Sequence, residues 1–231
     1  YDNGALKLRN VFIQPTGGVV RRSGLRYIDT AAGAGRMVAF EFNTEQTYLL
    51  VFTHQACTIY AQDVVEAVLV APWREDDISQ LAWTQSADTL LLTHPDYPPR
   101  KLVRTQSGGW DIVAWDFYTA QNRIHQPMYK FAPSATTVTP SATTGTITVT
   151  ASSAVFEDGH AGTRMRIGNK EIAVVSVLSP TVISASVIET LLSVTPTVDW
   201  DEQAFSPVRG YPVTSAFHQD RLVIGGSRDL P

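Results

Sequence analysis

The sequence is poor in the residues from which chemistry is built. A single cysteine, Cys57, excludes an intrachain disulfide and any cysteine-cluster metal site. Within an alternating apolar stretch it reads as buried filler, not as a reactive thiol. No apolar run reaches the roughly 20 residues that a membrane-spanning helix needs. A basic surplus is missing too: the formal net charge is -4, whereas a groove made to hold polyphosphate carries the opposite sign, so no tightly bound nucleic acid is expected. His54, His94, His125, His160 and His218 show no metal-ligand spacing. Neither a Gly-x-Ser-x-Gly elbow nor a paired-carboxylate constellation is present. The amino end, Tyr1-Asp2-Asn3-Gly4, has no charged-then-apolar leader and no methionine, which reads as a fragment of a longer protein.

What is there is β-forming sequence. A hydrophobic share of 44% is enough for ordinary cores, and residues 81–104 are the stretch around which the chain is organised. Leu81 and Trp83 alternate with polar neighbours, Gln85-Ser86-Ala87-Asp88 has turn chemistry, and Thr89-Leu90-Leu91-Leu92-Thr93 is an apolar run of strand length. Pro95, Pro98 and Pro99 exclude a helix and set a corner before Lys101-Leu102-Val103-Arg104 resumes. The same unit recurs at 38–60, with Phe40 and Phe42, a Thr44-Glu45-Gln46 turn and the run Tyr48-Leu49-Leu50-Val51-Phe52. It recurs again at 214–226, with Phe217, a His218-Gln219-Asp220 turn and Leu222-Val223-Ile224. Phe42 and Trp83 stand 41 positions apart, the period of one four-stranded propeller blade. An all-β fold is expected, as an incomplete propeller-like sheet array or a plain β-sandwich.

Near the amino end Leu6, Leu8, Val11 and Ile13 alternate towards a core, Pro15-Thr16-Gly17-Gly18 makes a turn, and a short strand is expected at 25–28. Arg9, Arg21, Arg22 and Arg26 fit an anionic contact surface or, more simply, a hairpin edge protected from mispairing by charge. Gly33-Ala34-Gly35 lacks the spacing of a nucleotide loop. The acidic cluster Glu75-Asp76-Asp77 lacks the alternating donors of a Ca²⁺ loop and reads as the start of a short helix or turn. Residues 110–117 carry aromatics on both faces of one strand, Trp110 on one and Trp115 and Phe117 on the other, which suits packing between layers or a subunit contact. Trp110, Trp115, Phe117, Arg21 and Arg22 are therefore the candidate subunit-interface residues.

Residues 132–152 hold 11 Ser or Thr in 21 positions and no charge. The first half reads as a linker; the second, from Gly145, alternates strictly and opens a small β domain, sandwich or barrel. Its later strands are expected at 164–167, 171–177 and 182–187, and residues 197–202 with Gly210-Tyr211-Pro212 form a return crossing. The expected organisation is a propeller-like domain over 1–131, an inserted small domain over 132–206 and a return to the first domain over 207–231. His218 beside Asp220 and Arg221, and His94 beside Asp96, are the best acid/base candidates, but turn histidines are mostly solvated. A scaffold fits better than an enzyme, and no catalytic, cofactor or metal residue is assigned.

Several of these motifs together resemble bacteriophage tail nozzle proteins, also called tail tubular protein B, and their prophage relatives. They are Pro15-Thr16-Gly17-Gly18-Val19-Val20-Arg21-Arg22-Ser23-Gly24, Phe40-Glu41-Phe42-Asn43-Thr44-Glu45-Gln46-Thr47-Tyr48, Gln85-Ser86-Ala87-Asp88, His94-Pro95-Asp96-Tyr97-Pro98-Pro99-Arg100-Lys101-Leu102 and Phe217-His218-Gln219-Asp220-Arg221-Leu222-Val223-Ile224-Gly225-Gly226. The likeness covers 1–130 and 207–231, and the intervening segment, with Val155-Phe156 and His160-Ala161-Gly162, looks like a small β domain of phage relatives. The resemblance implies a virion structural subunit of propeller-like fold, made in the bacterial host cytoplasm and assembled as a homo-oligomeric ring, typically a hexamer, at the end of a short tail. It implies contacts with other tail proteins such as the adaptor and fibres, transient passage of DNA without sequence-specific binding, no cofactor and no catalytic residues. Two other classes stay open: a tail fibre or baseplate protein that binds a receptor or glycan through the small domain, and a propeller hydrolase, which would need His94 or His218 in one pocket with Asp88 or Asp220.

Overall fold

The computed structural model describes residues 6–43, 46–105 and 107–230. It is all-β: antiparallel strands in several open sheets, with two short 3-10 turns and no α-helix among the described residues. The chain divides into two compact units, residues 1–30 and 31–231.

In the first unit, β1 (Val11–Ile13) and β2 (Val19–Arg21) form one hairpin. Its turn is closed by the Gln14 N–H, which donates to the Gly18 carbonyl at 2.7 Å. The expected alternation does not lead to a core: Leu6, Leu8, Phe12, Ile13, Val19 and Val20 are all exposed. Two three-residue strands are too short to bury a face by themselves. Residues 25–28 are irregular and not a strand.

In the second unit two four-stranded meanders follow one another. The first joins β3 (Arg36–Glu41), β4 (Thr47–Thr53), β5 (Ala56–Ala61) and β6 (Val64–Val70) in that order. The second joins β7 (Ala82–Ser86), β8 (Thr89–His94), β9 (Tyr97–Arg104) and β10 (Trp110–Ala114). Period-two alternation aims Val38, Phe40, Leu50, Phe52, Cys57 and Ile59 of the first sheet, and Leu90, Leu92, Leu102 and Trp110 of the second, into one shared core. Trp73, Ile78 and Leu81 of the connection complete it. Each such side chain withdrawn from water contributes about 1.5–3 kcal/mol.

Phe42 and Trp83 are not equivalent, contrary to the 41-residue spacing. Phe42 lies exposed in the bend after β3, while Val38 and Phe40 are the residues buried on that strand. Of the turn expected at 44–46, Thr44 and Glu45 lie outside the described residues. Pro98 and Pro99 stand inside β9 and not before it. Pairing with β8 jumps there from Leu92 opposite Arg100 to His94 opposite Tyr97, so a bulge accommodates two residues that cannot donate to a ladder. The hairpin turns Gln62-Asp63, Gln121-Asn122, Gly168-Asn169 and Gln219-Asp220 have positive φ at both positions, the geometry whose twist matches the flanking strands.

A small hairpin, β11 (Thr119–Ala120) and β12 (Arg123–Ile124), leads into a seven-stranded sheet. Its strands are β13 (Met128–Tyr129), β14 (Val138–Pro140), β15 (Thr146–Ala151), β16 (Arg164–Ile167), β17 (Lys170–Ser179), β18 (Val182–Val187) and β19 (Trp200–Gln203), in the order β13-β19-β16-β17-β18-β15-β14. A second core gathers Val138, Ile147, Val149, Met165, Ile172, Ile183 and Trp200. Two register shifts bend β17. Val138 and Thr197 exchange backbone hydrogen bonds of 2.9 and 3.0 Å, so one edge returns beside the start of β19 without a continuous ladder closing the sheet.

The Ser/Thr-rich stretch is therefore not a free linker. Thr136, Val138 and Pro140 are buried and β14 is paired. Threonine is itself a strand former, so composition alone did not separate the two. Of the crossing expected over 197–202, residues 200–202 instead belong to β19, a strand between β13 and β16. The last hairpin, β20 (Thr214–His218) and β21 (Arg221–Gly225), packs beside β7 and β8.

Candidate functional site

The candidate interface residues fall in three different places. Trp110 is only 8% exposed: its ring makes edge contacts with Phe40 and Tyr48 at 5.4 and 4.8 Å, and its Nε1–H donates to Glu66 Oε1 at 2.8 Å. It is a core residue and offers no free surface. Arg21 and Arg22 stand exposed on the hairpin of the first unit, where Arg22 Nε donates to Asn10 Oδ1 at 2.9 Å. Trp115 and Phe117 lie past the end of β10, since the strand expected over 110–117 stops at Ala114. The Trp115 N–H donates to the Pro99 carbonyl at 3.1 Å, which extends the register of β10 with β9 by one residue before the chain leaves the sheet.

That departure opens a cleft of about 410 Å³. Its apolar walls are Trp115 and Phe117, Pro98 and Pro99 of β9, and Phe205 and Tyr211 from beyond β19. The rings of Phe117 and Phe205 lie parallel, 1° apart, with centroids 6.3 Å from each other. Polar groups come from Asp116, Thr119, Gln126 and Gln203. Gln203 is fully committed: its Oε1 accepts from the Arg164 N–H at 2.9 Å and its Nε2 donates to Gln126 Oε1 at 2.6 Å. This fixes which way the Gln126 amide points, and its Nε2 then has no acceptor among the described residues. Burial pushes the Tyr211 hydroxyl above the ordinary tyrosine value, so it stays protonated at neutral pH.

Beside the cleft runs a relay of ion pairs. His160, in a 3-10 turn before β16, and Glu202 of β19 are both buried, with Nε2 2.7 Å from Oε2. The Glu157 N–H donates to His160 Nδ1 at 2.9 Å, which leaves Nε2 as the nitrogen that donates to Glu202. Arg209 closes on the same carboxylate through Nη2 at 2.9 Å and reaches Asp229 at 3.6 Å, and Arg228 pairs with Asp96 at 3.1 Å. Gly210 makes this approach possible. At φ +82°, a Cβ there would meet Arg228 Cβ at 2.6 Å and the Pro95 carbonyl oxygen at 2.9 Å. The Tyr211 N–H donates to that same Pro95 carbonyl at 2.7 Å.

The two histidines named as acid/base candidates are not brought together. His218 is exposed on β20 opposite Arg221. His94 is buried; its Nδ1 accepts from the Asp96 N–H and its Nε2 donates to the Asp77 carbonyl, both at 3.0 Å. Accepting at Nδ1 requires the neutral ring, with its proton on Nε2, and burial lowers its pKa in the same sense. Asp77, from the acidic cluster, accepts hydrogen bonds from the Tyr97 hydroxyl and the Arg74 N–H. The Tyr97 bond is the main cause that holds its carboxyl below the ordinary range. Glu75 and Asp76 are exposed. Cys57 is buried and its thiol pushed up to about 12 by desolvation, which makes it unreactive.

Sequence reasoning passed over His160, Glu202 and Arg209. The available signal was Glu202 standing two positions from Trp200 on a strand face, which asks for a buried partner. Among the described residues no group of three or more His, Cys, Asp or Glu is arranged to hold a metal ion, and no helix is long and apolar enough to cross a membrane. Neither protein-family models nor curated proteins show a match to this chain.

Proposed function

We propose that this chain is a wall segment of a phage tail nozzle, a virion structural protein whose copies close into a homo-oligomeric ring around a passage for DNA. The body is propeller-like: the two meanders are successive blades, β20 and β21 begin a further one, and the seven-stranded sheet is a module inserted between them. The motif resemblance supports this, as do the docking of Tyr211 on Pro95 and the ion pair of Arg228 with Asp96, which return the chain to the second meander after the module.

What carries the reading is the outer face of the first meander. Ladder registers align Met37, Val51, Thr58 and Val68 in one row across the four strands, with Leu49 and Val65 in the next. Met37, Leu49, Val65, Val68 and Val70 are exposed, Val70 at 87%, and surround Val51, which is 8% exposed. A contiguous apolar sheet face of this kind is what a neighbouring copy covers in a ring. The net charge of -4 suits a passage that lets DNA slide without adhering. Contacts with an adaptor and fibres belong to the same proposal.

Electron microscopy and mass measurement of the purified chain test it. The expected result is a ring in the native protein and monomers, with an unchanged far-ultraviolet dichroism spectrum, in the Leu49→Glu/Val68→Glu variant. A native chain that stays monomeric at all concentrations, or a variant that keeps the ring, overturns it.

A further inference from the structure

We infer that the cleft between Trp115, Phe117, Phe205 and Tyr211 is a binding site for a neutral saccharide. The inference rests on the cleft alone and not on the ring. At about 410 Å³ it falls within the range of small-ligand sites. Among the described residues no Lys, Arg or His lines it, so phosphate and carboxylate ligands would enter without a counter-charge. Its walls are aromatic and its polar groups are mixed: an acceptor carboxylate on Asp116 and a protonated phenol on Tyr211.

Three ligand classes fit an aromatic cleft, and these groups separate them. A quaternary ammonium wants aromatic faces turned inward around one point. Phe117 and Phe205 instead lie parallel to each other. A proline-rich strand presents carbonyl acceptors and no N–H, which would leave Asp116 without a donor. A pyranose ring has C–H faces that lie on aromatic surfaces and, around its edge, hydroxyls that both donate and accept. It alone uses Asp116 and the Tyr211 hydroxyl at once while covering the rings. The site lies at the border of the seven-stranded sheet and not within it, since Pro98, Pro99 and Trp115 belong to the second meander and its exit.

The test is a titration of the full chain, followed by tryptophan fluorescence and calorimetry, with cellobiose, maltose and N,N′-diacetylchitobiose, alongside a printed array of neutral oligosaccharides. Saturable binding of at least one saccharide is expected. It should weaken about tenfold or more in Trp115→Ala, the scale on which one stacking ring counts, and less in Trp115→Phe. Asp116→Asn, at an exposed position that leaves the fold intact, should weaken it as well. The inference is overturned if no saccharide gives saturable binding, if affinity is unchanged in both Trp115→Ala and Asp116→Asn, or if choline or deca-proline saturates the signal where saccharides do not.

Discussion

Trp110 shows how one residue can be read correctly as an aromatic on a β-strand and still be assigned the wrong neighbours. Aromatics on alternate positions announce two faces, but which face meets the core depends on the partner sheet, and here Phe40 and Tyr48 take Trp110. Trp110→Ala should therefore lower unfolding stability by about 3–5 kcal/mol, measured by urea denaturation. A variant of native stability would place the indole outside the core. His94 gives a pH dependence of definite sign. Because burial lowers its folded-state pKa, the unfolded chain binds the proton more readily. Its contribution is complete above the ordinary histidine value of about 6.5 and is lost as pH falls through and below it. Asp77, also lowered, adds a loss of the same sign below about pH 4, whereas Asp201, raised mainly by desolvation, adds stability as pH falls towards that value from above. Thermal midpoints recorded from pH 8 to about 5 should fall in the native chain and fall less in His94→Gln, whose amide can donate without titrating.

At the scale of elements, the hairpins were the most legible part of the chain. Short apolar runs separated by Gln, Asp, Asn and Gly sit where the strands and tight turns are, because period-two burial and positive φ leave direct marks on composition. Elements whose partners are remote were misread. β14 hides in a Ser/Thr tract, and β19 carries Asp201 and Glu202, residues that resemble a crossing until His160 and Arg209 are found beside them. Gly210 belongs to this scale as well, since one small residue allows the segment after β19 to lie against the Pro95 turn. Gly210→Ala should destabilise by more than about 1 kcal/mol. Hydrogen exchange should rise first in residues 207–230; uniform exchange across the chain would mean that the docking does not depend on this position.

For the molecule as a whole, the carboxylate of Glu202 is the joint between the seven-stranded sheet and the returning chain. It is buried and its charge is answered by Arg209. Arg209→Met should cost about 3–5 kcal/mol by stranding that charge, and Glu202→Gln added to it should recover a large part. Denaturant midpoints of the two single variants and the double would show additivity if the pair were not coupled. By itself the sequence determined that the chain is all-β, where most hairpins lie, and that neither disulfides nor cysteine-held metal brace it, because alternation, turn residues and cysteine number are local properties. Only the tertiary structure decided that Trp110 faces inward, that Trp115 and Phe117 meet Phe205 and Tyr211 across one cleft, and that His160, Glu202 and Arg209 converge. Apart from Glu202 with Arg209, seven positions away, those relations join residues tens of positions apart, and the burial that gives them energy exists only once the sheets have packed.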